Sequence, residues 1–145
     1  MSRYVERRRM AWSAEAVSGL VLDWSRDGEW RAAVTRMEVE PPGRARVGQR
    51  ITEWLRFGGR TFVTPTTITA ADGRSASFAG GSAQVSVEGR RTVVPEDDGG
   101  CTVVLEVDVR MTGVLALLNP ILGPGYRRRL AGEADALVAL QPAGA

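Results

Sequence analysis

From Cys101 to Met111 the chain alternates: Cys101, Val103, Leu105, Val107, Val109 and Met111 are apolar, with Thr102, Glu106, Asp108 and Arg110 between them. Successive residues of a strand point to opposite faces, so this segment predicts a strand with one dry side and one wet side. A looser form of the same period runs through "VGQRITEWLRF", "RTFVTPTTITAAD", "RSASFAG" and "AQVSVEGRRTVV", which are separated by the hairpin-closing residues "GG", "DG", "GG" and "EDDGG". "RAAVTRMEVEPPG" adds a strand that Pro41 and Pro42 must end, and "SRYVERRRMAW" reads as a first one. The expectation is a seven-stranded, consecutive antiparallel meander.

Two segments break that period. Ser13 followed by Ala14, Glu15, Ala16 and Val17 is a capped helix start, running to about Asp23, and "DWSRDGEW" is a turn or a short second helix. Near the end, Tyr126, Leu130, Ala134 and Leu137 recur at three and four residues, with Arg127, Arg128, Glu133 and Asp135 on what reads as a wet face. The preceding apolar run, Gly113 to Tyr126, falls short of the roughly 18–20 uncharged residues of a bilayer span. No membrane span is expected. Pro120 and Pro124 predict a kink or interruption in this helix. The dry face of the sheet needs a cover, and this helix is the only long apolar one. The fold class is therefore α+β: a curved antiparallel sheet wrapped around a C-terminal helix, with a hollow between them.

At 145 residues the chain fits one domain, 1–145. The formal charge of +2 is spread without a basic stripe, which argues against nucleic acid as a partner. All basic residues are arginine, so a lysine Schiff base is excluded. The absence of histidine removes the usual general base and the usual zinc or iron ligands. No metal and no cofactor are expected, and no glycine-rich phosphate loop is present. Cys101 stands alone and lacks a histidine to activate it, which reads as an inert thiol. "MSRYVERRRM" is basic but has no apolar h-region after it, so the expected location is cytoplasmic.

"SAEAVSGLVLDWSRDGEW", with Val17, Asp23 and Trp30, then "VGQRI", "GGCTVVLEVDV" and "GVLALLNPILGPGYRRRLAGEADALVAL", resemble the helix-grip fold of the START and birch-pollen allergen superfamily (SRPBCC). The pattern is similar to its bacterial polyketide cyclase/dehydrase-like branch. The resemblance covers nearly the whole chain and implies a hydrophobic small-molecule ligand. That family has no universal catalytic set, so no active site is carried over. In the family's terms Trp30 lies near the cavity mouth; as a plain core anchor it fits equally well.

The family register turns Ile51, Leu55 and Phe57 toward the helix, and the period of two then turns Glu53 inward as well. A carboxyl on an apolar wall suits general acid or base work, whereas a register slip, or a pairing with an arginine, would make it structural. Arg91 shares the parity of Val85, Val87 and Val93, unless Gly89 marks a bulge. Inward, it fits a ligand carboxylate or oxyanion; outward, it is an edge charge. Phe62, Thr64, Thr66 and Ile68 share a face, as do Ala76 and Phe78. The expected cavity is lined by Trp30, Leu55, Phe57, Phe62, Thr64, Phe78, Val107, Met111 and Tyr126, with Glu53 and Arg91 as candidate catalytic residues. The triple Arg127-Arg128-Arg129 reads as a solvated helix face.

Two functions fit. One is a small cyclase or dehydratase of a polyketide-like or aromatic intermediate, working mainly by folding its substrate. The other is a non-catalytic protein that carries, sequesters or protects against a hydrophobic metabolite. The partner in both is a hydrophobic small molecule, and the protein is expected to be a monomer or homodimer.

Overall fold

A computed structural model describes residues 2–140; residue 1 and residues 141–145 of the expected domain lie outside them. The seven strands are β1 (Ser2–Met10), β2 (Val34–Glu40), β3 (Arg50–Phe57), β4 (Arg60–Ala71), β5 (Ser75–Gly81), β6 (Val85–Pro95) and β7 (Cys101–Met111). They form one antiparallel sheet in the order β1-β7-β6-β5-β4-β3-β2. The meander from β2 to β7 is as the alternation predicts. The first strand closes onto the last, pairing Tyr4 with Val107 and Met10 with Cys101. Register shifts between Val34 and Arg36 and between Ile68 and Ala70 are the bulges that bend such a sheet. After the second bulge, Ala71 returns to the inner side and packs on the core.

Helix α1 (Ala14–Val21) starts where the sequence places it, with Ser13 Oγ accepting from the Ala16 amide at 3.2 Å. Its Val17, Leu20 and Val21 are buried. Asp23 then caps a 3-10 helix, Trp24–Glu29, accepting from the Ser25 amide at 3.0 Å. This is the short second helix allowed by "DWSRDGEW".

Helix α2 (Asn119–Ala139) lies against the sheet with Tyr126, Leu130, Ala134 and Leu137 buried, as the spacing predicts. Burying a leucine this way contributes about 1.5–3 kcal/mol. The expected interruption at the prolines does not occur, because α2 is continuous through Pro124. Pro120 falls in the first turn, where an amide has no intrahelical partner to lose. The break in helical geometry comes earlier, where a 3-10 turn, Gly113–Leu118, meets α2 at Asn119. No helix among the described residues is long and apolar enough to cross a membrane.

Two charges on α2 correct the wet-face reading. Glu133 is buried, and the Arg129 side chain keeps only 12% of its surface and bonds Glu133; Arg127 and Arg128 are exposed as expected.

Gly89 is no bulge, since β6 pairs in continuous register with both β5 and β7. It faces its cross-strand neighbour Phe78, and a Cβ there would stand 2.6 Å from Phe78 Cζ and 2.3 Å from the Glu106 carbonyl oxygen. Gly89→Ala is therefore expected to cost about 1–3 kcal/mol in urea unfolding, the usual range for overpacking. An unchanged midpoint would show that β6 and β7 separate freely at this point.

Candidate functional site

Between α2 and the concave side of the sheet lies a cavity with about 60 Å³ of free volume. That holds roughly four to six waters at about 10–15 Å³ each. Its apolar wall includes Trp24, Trp30, Ile51, Phe78, Val87, Leu105, Val107, Tyr126 and Leu130, with Thr64 and Thr66 from β4. Arg31, Glu53, Arg91, Glu106 and Glu133 line it as well. Trp24 and Phe78 meet edge to face at 5.6 Å.

Of the residues expected from sequence, Glu53, Arg91, Trp30, Thr64, Phe78, Val107 and Tyr126 come together here. Leu55, Phe57, Phe62 and Met111 do not line this cavity. Phe62 and Met111 form a separate small cluster with Val85, on which Phe57 packs. Phe57 and Met111 line a second hollow of about 20 Å³, which shares Tyr126 with the first. The correct strand parity put all of these on the inner face. Parity says nothing about position along the strand, and these four sit nearer the end where β3 turns into β4.

Both candidate charges point inward, and both are held. Arg91 grips Asp27 with two parallel hydrogen bonds, Nη1 to Oδ1 and Nη2 to Oδ2, each 2.8 Å, and Nη1 also donates to the Val21 carbonyl at 3.0 Å. Its guanidinium lies over Trp24, 4.0 Å from the ring centroid, and within 5.0 Å of Trp30. Asp27 is fully buried and accepts from Arg31 Nη1 as well, at 2.9 Å. Arg31 Nη1 donates to Glu53 at 2.7 Å, and its Nε is 3.2 Å from Glu133. Glu133 in turn accepts from Arg129 at 2.5 Å. The pairing of Glu53 with an arginine is thus one of the alternatives open in the sequence.

Three carboxylates and three guanidiniums follow one another, so the chain of charges is neutral in sum. Burial alone would lower the pKa of Arg31, but Glu53, Glu133 and Asp27 outweigh it and raise it well above the ordinary arginine value. Burial pushes the Tyr126 phenol above its usual value, against the pull of Arg129 and Arg31. The same effect raises the Cys101 thiol, which sits buried at the start of β7 and away from the cavity. Two polar groups of the wall remain uncommitted. The Trp30 indole N–H is buried without a partner, and the Tyr126 hydroxyl has none among the described residues.

Sequence reasoning missed Asp27, Arg31, Glu133 and Trp24. Asp27 precedes Gly28 and looks like a turn residue; the one available signal was its i,i+4 spacing to Arg31.

A family model described as polyketide cyclase / dehydrase and lipid transport matches residues 1–141, and the chain belongs to that family. No curated protein sequence matches the chain. Among solved structures it is similar to a START superfamily protein from Mycobacterium smegmatis, at 17% identity and TM-score 0.75, covering 96% of each chain. The Zhui aromatase/cyclase from Streptomyces sp. R1128 superposes with TM-score 0.79 at 12% identity, over 98% of this chain and 97% of that one. Norcoclaurine synthase from Thalictrum flavum gives TM-score 0.63 at 16% identity, over 95% and 84%. These likenesses establish the helix-grip fold.

Breaking a buried pair strands the charge left behind and costs about 3–5 kcal/mol. Asp27→Ala, which strands Arg91 and leaves Arg31 with Glu53 and Glu133, is expected to lose about that in urea unfolding. Arg3→Ala, which breaks an exposed pair with Glu106, leaves the midpoint almost unchanged. Equal midpoints for the two variants would show that water reaches the buried arginines.

Proposed function

We propose that this member of the polyketide cyclase / dehydrase and lipid transport family binds a small aromatic or polyketide-like molecule between α2 and the sheet, whose walls part to admit it, since the free volume of about 60 Å³ is less than half of the roughly 150 Å³ that takes a benzene ring. Binding, rather than proton transfer, is the reading the geometry favours. The observation that carries it is the state of the wall: its inward charges are engaged with one another, while Ile51, Phe78 and Val107 give it apolar surface and the Tyr126 hydroxyl has no partner among the described residues. A flat ring packs against Ile51, Phe78 and Val107, and a carbonyl or phenolic oxygen accepts a hydrogen bond from the Tyr126 hydroxyl. No carboxylate donates a hydrogen bond when ionised, so the orientation of the ligand falls to Tyr126.

A second reading, cyclisation or dehydration, rests on Glu53. It keeps 20% of its side chain exposed and lines the same cavity as the Tyr126 hydroxyl. A carboxylate and a phenol facing one substrate are a base and a proton donor for enolisation.

Titration with hydroxynaphthoquinones is expected to quench tryptophan fluorescence saturably. Tyr126→Phe keeps the ring and removes the O–H, so affinity for an oxygenated ligand drops about 5- to 10-fold, the worth of one hydrogen bond, while affinity for the parent hydrocarbon stays put. Native mass spectrometry of protein isolated from its own host identifies the resident molecule. Recovery of that molecule unchanged after incubation supports binding. Conversion that Glu53→Gln abolishes without loss of affinity establishes the enzyme instead, and absence of any saturable quenching overturns both.

A further inference from the structure

The 3-10 turn Gly113–Leu118 carries the most exposed large apolar side chains described, Val114 at 89% and Leu117 at 86%, with Leu118 beside them at 39%. The turn is anchored, not loose. Thr112 donates its amide to the Gln84 carbonyl and its hydroxyl to that of Ala83. Asn119 spans the turn from the other end, accepting from the Met111 amide at 2.7 Å and donating to the Met111 carbonyl at 3.1 Å. Leu115 packs inward on the cluster of Phe62, Val85 and Met111, which turns its neighbours outward. The fold thus displays these side chains on a fixed mount.

The charge around them is of one sign. The β3–β4 turn, the β5–β6 turn and the β7–α2 connection meet at this end, and residues 54–71, 73–87 and 109–132 contain no Asp or Glu. They do contain Arg60, Arg110 and Arg128, all exposed and none in an ion pair among the described residues. Helical side chains lean toward the N-terminus of their helix, and Arg128 reaches back over Gly125, toward the turn.

From this combination we infer that the Gly113–Leu118 end of the molecule docks on an anionic lipid surface, Val114, Leu117 and Leu118 entering the interface and the arginines meeting phosphate. A bilayer leaflet offers both chemistries side by side, which is how interfacial amphipathic elements bind. A second copy of the chain fits less well, because a two-fold interface would set the same arginines against each other. This inference is independent of which molecule fills the cavity.

The test is co-sedimentation of the full chain with vesicles of phosphatidylcholine alone and of phosphatidylcholine mixed with phosphatidylglycerol. Binding is expected only to the anionic vesicles and is expected to weaken as salt rises. Arg110→Glu combined with Arg128→Glu reduces partitioning by well over the roughly fivefold that each basic residue near an anionic surface supplies. Val114→Asp with Leu117→Asp abolishes it, with far-UV circular dichroism and the urea midpoint retained because these positions are exposed. Failure of wild type to sediment with anionic vesicles at low salt overturns the inference, as do unchanged partitioning of both variants and a concentration-dependent dimer that Leu117→Asp dissolves.

Discussion

A carboxylate with no exposed surface sits between two guanidiniums at Asp27, and the arrangement of the cavity wall follows from it. An isolated buried charge is so costly that it must be matched within hydrogen-bond reach. Arg91 supplies the match from β6 and Arg31 from the start of β2's approach. Each arginine then carries its own demand. Arg91 is met by Asp27, the Val21 carbonyl and two indole faces, while Arg31 requires Glu53 of β3 and Glu133 of α2. The sequence of demands ends only where Arg129 closes on Glu133 and rests 4.4 Å from the Tyr126 ring centroid.

Such a network adds little net stability over an apolar core of the same volume. What it adds is distance. Apolar side chains collapse until space is filled, whereas ion pairs hold their partners at the lengths of hydrogen bonds. The 3-10 helix, β3, β6 and α2 are tied together by those lengths, and the free volume stands between them. Since each inward charge is already engaged, what remains for a ligand is apolar surface and the Tyr126 hydroxyl. That is why the geometry weighs toward binding, although the family's description includes cyclisation and dehydration.

The strands were readable from the sequence because each carries its own period: Cys101 to Met111 reveals its inner face with no knowledge of its neighbours. The α2 stripe was readable for the same reason, and the resemblance joined these pieces into a helix grip. The network was not, because its members come from segments without a period. Asp27 lies in a short 3-10 turn, and Arg31 lies in the link to β2. Glu133 and Arg129 fall on α2 beside the apolar stripe, where spacing alone cannot tell a charge facing water from one facing a partner. Glu53 and Arg91 were placed inward by parity, but their partners, and with them their chemistry, depended on elements distant in sequence. Pro124 does not interrupt the helix, for a related reason. The penalty of an internal proline is local, while the packing of Tyr126, Leu130, Ala134 and Leu137 that holds the helix is not.

Tyr126 joins the two halves of the interior. Its ring lies in the wall of the cavity, stacks with Tyr4 at 5.2 Å and meets Phe57 edge to face at 5.7 Å, within the second hollow. Phe57 packs in turn on the cluster that seats Leu115, and so on the mount of the exposed turn. A continuous run of packed side chains therefore leads from the cavity to the basic, apolar end of the molecule. Packed interiors shift between discrete arrangements and do not yield smoothly. If filling the cavity moves Tyr126, the displacement meets Phe57 before it meets solvent. Any resulting change in how the turn is presented must act equally in reverse, since coupling between two binding events is reciprocal.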